Sequence, residues 1–206
     1  MNLILIEIPI KLSKMNYILE IMYSTIQYWN LPAKTQFHHC VAQYVTKMVK
    51  FSQSQKIRRN LYLLIGDPYD QNIFNNSSNQ ELFNCGLNQE QITTLKYISS
   101  IINEQDTLDN NLERLIKVQG IGPWTIKSIR LMLSNENDIF LYEDSYIIAR
   151  LSELYGMKSL TQANAKKIGS AWNQYQSIFS KFLWRIKKEG IQKLSMQIPL
   201  TRDDFL

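Results

Sequence analysis

The stretch Val118–Met132, VQGIGPWTIKSIRLM, decides how the chain is read. Gly120 and Gly122 stand one residue apart at the mouth of an apolar run, in a chain with only 7 glycines among 206 residues. Upstream, NLERLIKV has the apolar spacing of a helix. Downstream, Pro123 opens a second helix at its first turn, where the missing N–H costs nothing. Glycine tolerates positive φ and lets backbone approach another surface closely, so Gly120-Ile121-Gly122 reads as a tight turn that exposes consecutive N–H groups. Free amides at a helix N-terminus attract an anion. Ile121 pins the turn to the core, and Lys117 and Lys127 flank it. The same residues also suit a plain helical hairpin in which glycine only relieves crowding, so the rest of the chain must decide.

Outward from the hairpin, helical patterns dominate. Ile18, Ile21, Met22 and Ile26 recur at helical spacing, NLPAKTQF interrupts, and the period resumes over 39–50 and 55–65, closed by Gly66-Asp67-Pro68. NIFNNSSNQE reads as a loop that caps the helix carrying Leu82 and Phe83, and an amphipathic helix spans 88–102. Further helices are expected over 111–117, 123–133, 145–154, 161–169 and 171–188, with Asn164 and Ser170 as candidate caps. Only 3–12 alternates like a strand, Pro9 confines it to an edge, and a single strand has no sheet to join. The expected class is all-α.

Composition narrows the function. A chain that is 45% hydrophobic and 20% charged is long enough for one core or two small lobes. The net charge of +5 suits a polyanionic partner. Cys40 and Cys85 are the only cysteines and lack CxxC spacing, so buried thiols are expected rather than a disulfide or a zinc site. No apolar run reaches membrane-spanning length, and NLILIEIPIKL lacks a basic leader and is broken by Glu7 and Pro9. A soluble intracellular protein is expected, in the cytoplasm of a prokaryote or in the nucleus or an organelle of a eukaryote. His38 and His39 have no partner visible in the sequence and receive no role.

The hairpin resembles the helix-hairpin-helix signature of a DNA glycosylase superfamily, LPGIGxWTA in its alkylpurine branch, that of 3-methyladenine DNA glycosylase II. Four more blocks follow the same order. DIFLYEDSYIIARL is similar to that branch's apolar run, two acids, three residues, then Arg, which puts the family's catalytic aspartate at Asp144, with Ile147 buried and Arg150 following. AWNQYQSIFSKFLW resembles WxPWRSxAxxxLW and keeps Trp172, Tyr175, Ser177 and Trp184. CVAQYVT is similar to the IISQQIS helix, keeping Gln43 and Thr46, and FNCGLNQEQITTLKYIS to GLSxxKAxxLxxLA. The match runs from Phe37 to Ile186. Tyr44 replaces the second Gln of the QQ pair, Gln174 and Gln176 replace Pro and Arg, Gln91 replaces a common Lys, and Ser128 stands where the branch can carry a tyrosine. The large β domain of some members has no counterpart.

The resemblance implies two helical subdomains flanking a cleft within one glycosylase unit, 1–206. Residues 36–126 would form one, ending in the hairpin, and 1–35 with 127–206 the other. It implies that Gly120, Ile121, Gly122, Thr125, Lys117 and Lys127 hold double-stranded DNA, and that Trp124, Gln43, Tyr44, Ser128 and Trp184 shape the pocket for a damaged base. Trp184 suits the core as well. The target base must leave the stack before its glycosidic bond can be reached. Asp144 then stabilises positive charge on the sugar or activates a water. Trp124 occupies the position of the lysine that forms a Schiff base in the bifunctional branch, so hydrolysis without strand cleavage is expected. No cofactor is implied apart from a monovalent cation at the hairpin, no metal site and no membrane contact are expected, and the protein should act as a monomer. The iron–sulphur loop of related endonucleases needs four clustered cysteines, which this chain lacks. Two other functions stay open: a DNA-binding protein without catalysis, and the same fold acting on uracil, mismatched thymine or an oxidised purine.

Overall fold

The computed structural model describes residues 17–22 and 34–195, and all its regular elements are helices. The strand-like 3–12 and Ile26 lie outside the described residues. In chain order the helices are α1 (17–22), α2 (Gln36–Met48), α3 (Phe51–Ile65), α4 (Gln71–Asn76), α5 (Asn79–Asn84), α6 (Gln89–Ile101), α7 (Leu108–Leu115), α8 (Pro123–Leu133), α9 (Ser145–Leu154), α10 (Gln162–Ala171), α11 (Gln176–Arg185) and α12 (Lys188–Ser195). Among the described residues no helix is long and apolar enough to cross a membrane.

The chain divides into two compact units, 32–135 and 136–206 with 1–31. The division falls after the whole of α8, not inside it at 126/127, because Ile129 belongs to the core of the first unit.

In the first unit, α2 buries Phe37, Cys40, Val41, Tyr44 and Val45, one stripe at helical spacing. Its N-terminus is held twice: Thr35 accepts the His38 N–H at 3.1 Å, and the Glu104 carboxylate accepts those of Gln36 and Phe37 at 3.0 and 2.6 Å. α3 stops at Gly66, whose φ of +84° is open to glycine at little cost. The stretch expected to be a loop instead contains parts of α4 and α5. Asp70 caps the first and a Ser78–Glu81 capping box opens the second, while Phe74 and Leu82 anchor them in the core. α5 is the expected helix that carries Leu82 and Phe83, capped from this stretch, whereas α4 is hidden in an Asn- and Ser-rich sequence because so short a helix shows no full apolar period. Gln91 completes a second capping box with Asn88. Both cysteines are buried thiols.

The second unit packs α9 against α11 and α12. Thr161 caps α10 by accepting the Asn164 N–H at 3.2 Å, so Asn164 is the residue being capped, and Ser170 donates to the Lys166 carbonyl within the helix. The single helix expected over 171–188 is broken at Asn173, whose φ is +37°, by a 3-10 turn at Asn173–Tyr175.

His38, unassigned from sequence, is 4% exposed; its Nδ1 accepts the Tyr69 N–H at 3.2 Å and its ring lies 4.1 Å from that of Tyr69. Burial, then the positive charge of Lys34 and the neighbouring His39, push its pKa down to about 3, against a weaker upward pull from Asp67. The unfolded chain binds this proton near 6.5, so between these values it holds more protons than the folded protein. Stability should therefore rise with pH from about 3 to 6.5 and level off above, by on the order of a few kcal/mol from this group. His38→Asn keeps an acceptor for Tyr69 and removes the titration. Urea unfolding at neutral pH and at about pH 4.5 should show a smaller acid loss in the variant, and an equal loss would contradict the assignment.

Candidate functional site

The hairpin in the first unit is α7, a turn and α8. Thr107 caps α7, and the turn closes through Val118 N–H to the Leu115 carbonyl at 2.9 Å and Ile121 N–H to the Val118 carbonyl at 3.0 Å. The two glycines do different work. Gly120 has φ +85°, the left-handed region that side chains disfavour, and a Cβ there would lie 3.8 Å from Met48 Sδ and from Tyr44 Cε2. Gly122, the N-cap of α8, is extended at φ −115° and ψ −179°, a conformation any residue adopts, and a Cβ there would meet nothing within 4 Å. The Gly120 and Gly122 amides donate to no acceptor among the described residues, Gly120 in the turn and Gly122 at the N-cap of α8. Pro123 follows at N1. Ile121 is buried and holds the turn to the core, while Lys117 is exposed and Lys127 half-buried.

The residues expected to shape a base pocket separate. Tyr44 is 2% exposed and backs the hairpin beneath Gly120, its phenol pushed up in pKa by burial against a weaker downward pull from Thr94. Ser128 has no exposed surface, and its hydroxyl donates to the Thr125 carbonyl at 2.8 Å, so it offers no face to a base. Thr125, expected at the DNA surface, is itself 1% exposed and packs inside. Burial inverts these expectations because both side chains sit on the core stripe of α8. Gln43 and Trp124 are half-buried. Over the Trp124 ring lies Lys47 Nζ, 5.4 Å from the centroid, a cation–π contact from α2 that the sequence pattern did not single out. Lys47 lies one residue after the retained Thr46, and only the packing of α2 on α8 brings it to the indole.

Asp144 belongs to the second unit. It is the N-cap of α9, where one carboxylate oxygen accepts the Ile147 N–H at 2.9 Å, and it is 9% exposed. The segment leading to it is pinned to α11: Ile139 N–H donates to Ser177 Oγ at 3.0 Å, Ser180 Oγ donates to the Ile139 carbonyl at 3.0 Å, and the Ser177 N–H donates to the Asn137 carbonyl at 3.0 Å. An aromatic stack of Phe140, Phe179 and Trp172 completes the support, with centroids 5.9 and 3.9 Å apart. Gly169 makes room for it, since a Cβ there would fall 2.1 Å from Phe140 Cδ1. Glu143 is half-buried, and Arg150 pairs with Glu153 and lies 4.5 Å above the Tyr146 ring. Trp184 is half-buried on α11. Among the described residues no group of three or more His, Cys, Asp or Glu side chains could hold a metal ion.

No family model matches the chain, and no curated protein sequence does. Solved structures do match. The 3-methyladenine DNA glycosylase of Archaeoglobus fulgidus superposes with a TM-score of 0.64 at 16% identity, over 74% of this chain and 58% of that one. A 3-methyladenine DNA glycosylase of Schizosaccharomyces pombe in complex with abasic DNA gives 0.63 at 14% identity, over 82% and 95%. An 8-oxoguanine glycosylase/lyase of Clostridium acetobutylicum, in complex with double-stranded DNA containing 8-oxoG opposite cytosine, gives 0.57 at 12% identity, over 90% and 70%. The chain thus spans little more than half the length of the archaeal protein. The fold is the all-α helix-hairpin-helix fold of these glycosylases, the one its motifs resemble.

The two glycines can be tested apart. Gly120→Ala should cost about 1–2 kcal/mol in stability from its φ alone. Gly122→Ala should leave stability within about 0.5 kcal/mol while weakening binding to undamaged duplex several-fold by crowding the exposed amide. Thermal unfolding and fluorescence anisotropy measure the two effects. Unchanged duplex affinity in Gly122→Ala would reduce the hairpin to a structural corner.

Proposed function

We propose that the chain is a monofunctional DNA glycosylase that flips a damaged base out of double-stranded DNA, hydrolyses its N-glycosidic bond and leaves an abasic site, with alkylated purines as substrates, acting as a monomer inside the cell in base-excision repair. The observation that carries this reading is Asp144: a carboxylate held at a helix N-terminus, in the register of the family's catalytic aspartate, within a fold shared with DNA glycosylases. The hairpin binds one strand through the Gly120 and Gly122 amides, a backbone contact that carries no sequence preference. As the base departs, positive charge develops on the sugar, and an anion fixed before the reaction stabilises it without reorganising. The same carboxylate can orient or deprotonate the attacking water. A monovalent cation at the hairpin fits the donor set, since the carbonyls of Gln119, Gly120 and Ile121 accept no hydrogen bond among the described residues. Such a cation would supply positive charge next to a DNA phosphate.

Asparagine caps a helix as well as aspartate, so Asp144→Asn should preserve the Ile147 bond and the fold while removing the charge. Base release should fall by about 10²-fold or more, with affinity for lesion duplex changed only a few-fold. Glu143→Gln should remain active. An active Asp144→Asn, or an inactive Glu143→Gln beside it, would overturn the assignment.

Lys47 supports a second reading. Trp124 stands where the bifunctional branch has its lysine, and Lys47 brings an amine to that indole from another helix. A glycosylase/lyase would use such an amine to attack the sugar and form a Schiff base. In the monofunctional reading Lys47 serves as a cation against the ring, and borohydride should trap no covalent protein–DNA adduct. Trapping by the native protein that disappears in Lys47→Gln would establish the second reading.

A further inference from the structure

Two cavities in the first unit differ in chemical character. The larger, about 640 Å³, is lined by residues such as Asp70, Gln71, Asn75 and Glu104 and has no basic side chain. Its Glu104 carboxylate is already engaged by the N-terminus of α2. The smaller, about 330 Å³, is lined by Lys34, His38, Arg58, Arg59, Tyr62 and Asp67, among others. Here three cations face one carboxylate, and that carboxylate is ion-paired with Lys34.

Two features distinguish this cavity from a solvated basic surface. Arg58 Nε is enclosed and has no hydrogen-bond partner, and a buried guanidinium donor left unmatched is costly. His38 uses Nδ1 as the acceptor for Tyr69, so the proton of the neutral ring resides on Nε2 and this nitrogen is a donor. The walls therefore offer an ammonium, two guanidinium groups and an imidazole N–H, together with the Tyr62 hydroxyl. A ligand that meets them must be anionic and rich in acceptors, and a phosphate group satisfies both conditions. A volume of about 330 Å³ exceeds what a bare phosphate fills, and the Tyr62 and Tyr69 rings supply flat apolar walls. The cavity shares no residue with the hairpin.

We propose that this cavity is a phosphate-binding site, separate from the hairpin, that accepts a phosphate carried on a nucleotide-sized ligand. The phosphate belongs either to a free mononucleotide or to a nucleic-acid backbone, and the chemistry at Arg58 and Arg59 is common to both.

The test follows the ring nitrogens of His38 by NMR in the full chain, with histidine labelled, during titration with inorganic phosphate. A saturable shift is expected, absent with chloride at matched ionic strength, and Arg58→Gln or Arg59→Gln should weaken it by about tenfold. Arg59 is exposed, so its variant keeps the test decisive if Arg58→Gln fails to fold. An equal response to chloride, or both variants binding as the native protein does, would overturn the site. Parallel titrations with a 5′-deoxynucleoside monophosphate and with undamaged duplex then assign the source, the one that saturates at lower phosphate concentration being the physiological class. A response to inorganic phosphate that neither strengthens would overturn the nucleotide-sized ligand.

Discussion

The hydrogen bond from the Ile147 N–H to the Asp144 carboxylate, 2.9 Å long, is the constraint on which the candidate active site depends. It starts α9, satisfies one of the helix's orphan donors and fixes the position of one oxygen of the proposed catalytic group. A side chain with both duties cannot drift without unwinding the first turn of its own helix. The supporting structure serves the same end. Ser177 and Ser180 hold the backbone of 137–141, and Gly169 vacates the space in which Phe140 stacks on Phe179. These residues hold the approach to Asp144 from the side of α10 and α11, and none of them needs to touch DNA to matter for turnover. A shift of the reacting carboxylate far smaller than a residue's width is enough to lower rate steeply.

At the hairpin, the two glycines stand under different constraints. Gly120 supplies the left-handed backbone on which the turn rests, backed by Tyr44. Gly122 is under no such strain, and a side chain there would meet nothing within 4 Å, so the fold does not require glycine at this position. Tyr44, at the position where the motif it resembles pairs two glutamines, has a structural place: buried behind the turn, it supports Gly120. Under the proposed function, Lys47 over Trp124 would bear on substrate choice as well as on reaction type, because a cation already against the indole would compete with a positively charged alkylpurine for the same π-surface.

Much of this was legible in the sequence because it rests on local chemistry. Pro123 marks a helix start by its fixed φ and Asp144 by its side-chain cap, and α8 and α9 begin and end where the pattern placed them. Gly169, by contrast, is required by the ring of Phe140, far away along the chain, which no local pattern reveals. The same applies to burial. Thr125 was expected at the DNA surface and Ser128 in the base pocket, but both lie on the inward face of α8. His38 carried no signal at all, since its partner Tyr69 comes from beyond the next helix. The short helix α4 escaped notice because capping, not periodicity, defines it, whereas α5 is the expected helix that carries Leu82 and Phe83.

The most direct measurement is a denaturing gel of duplexes carrying single lesions, incubated with the protein and divided before alkali treatment. If the account is right, a strand containing an N3- or N7-alkylated purine stays intact without alkali and is cut at the lesion after it, since hydrolysis leaves an abasic site and no amine cleaves the sugar. No cleavage after alkali for any lesion would contradict glycosylase activity, and cleavage before alkali would contradict the hydrolytic mechanism.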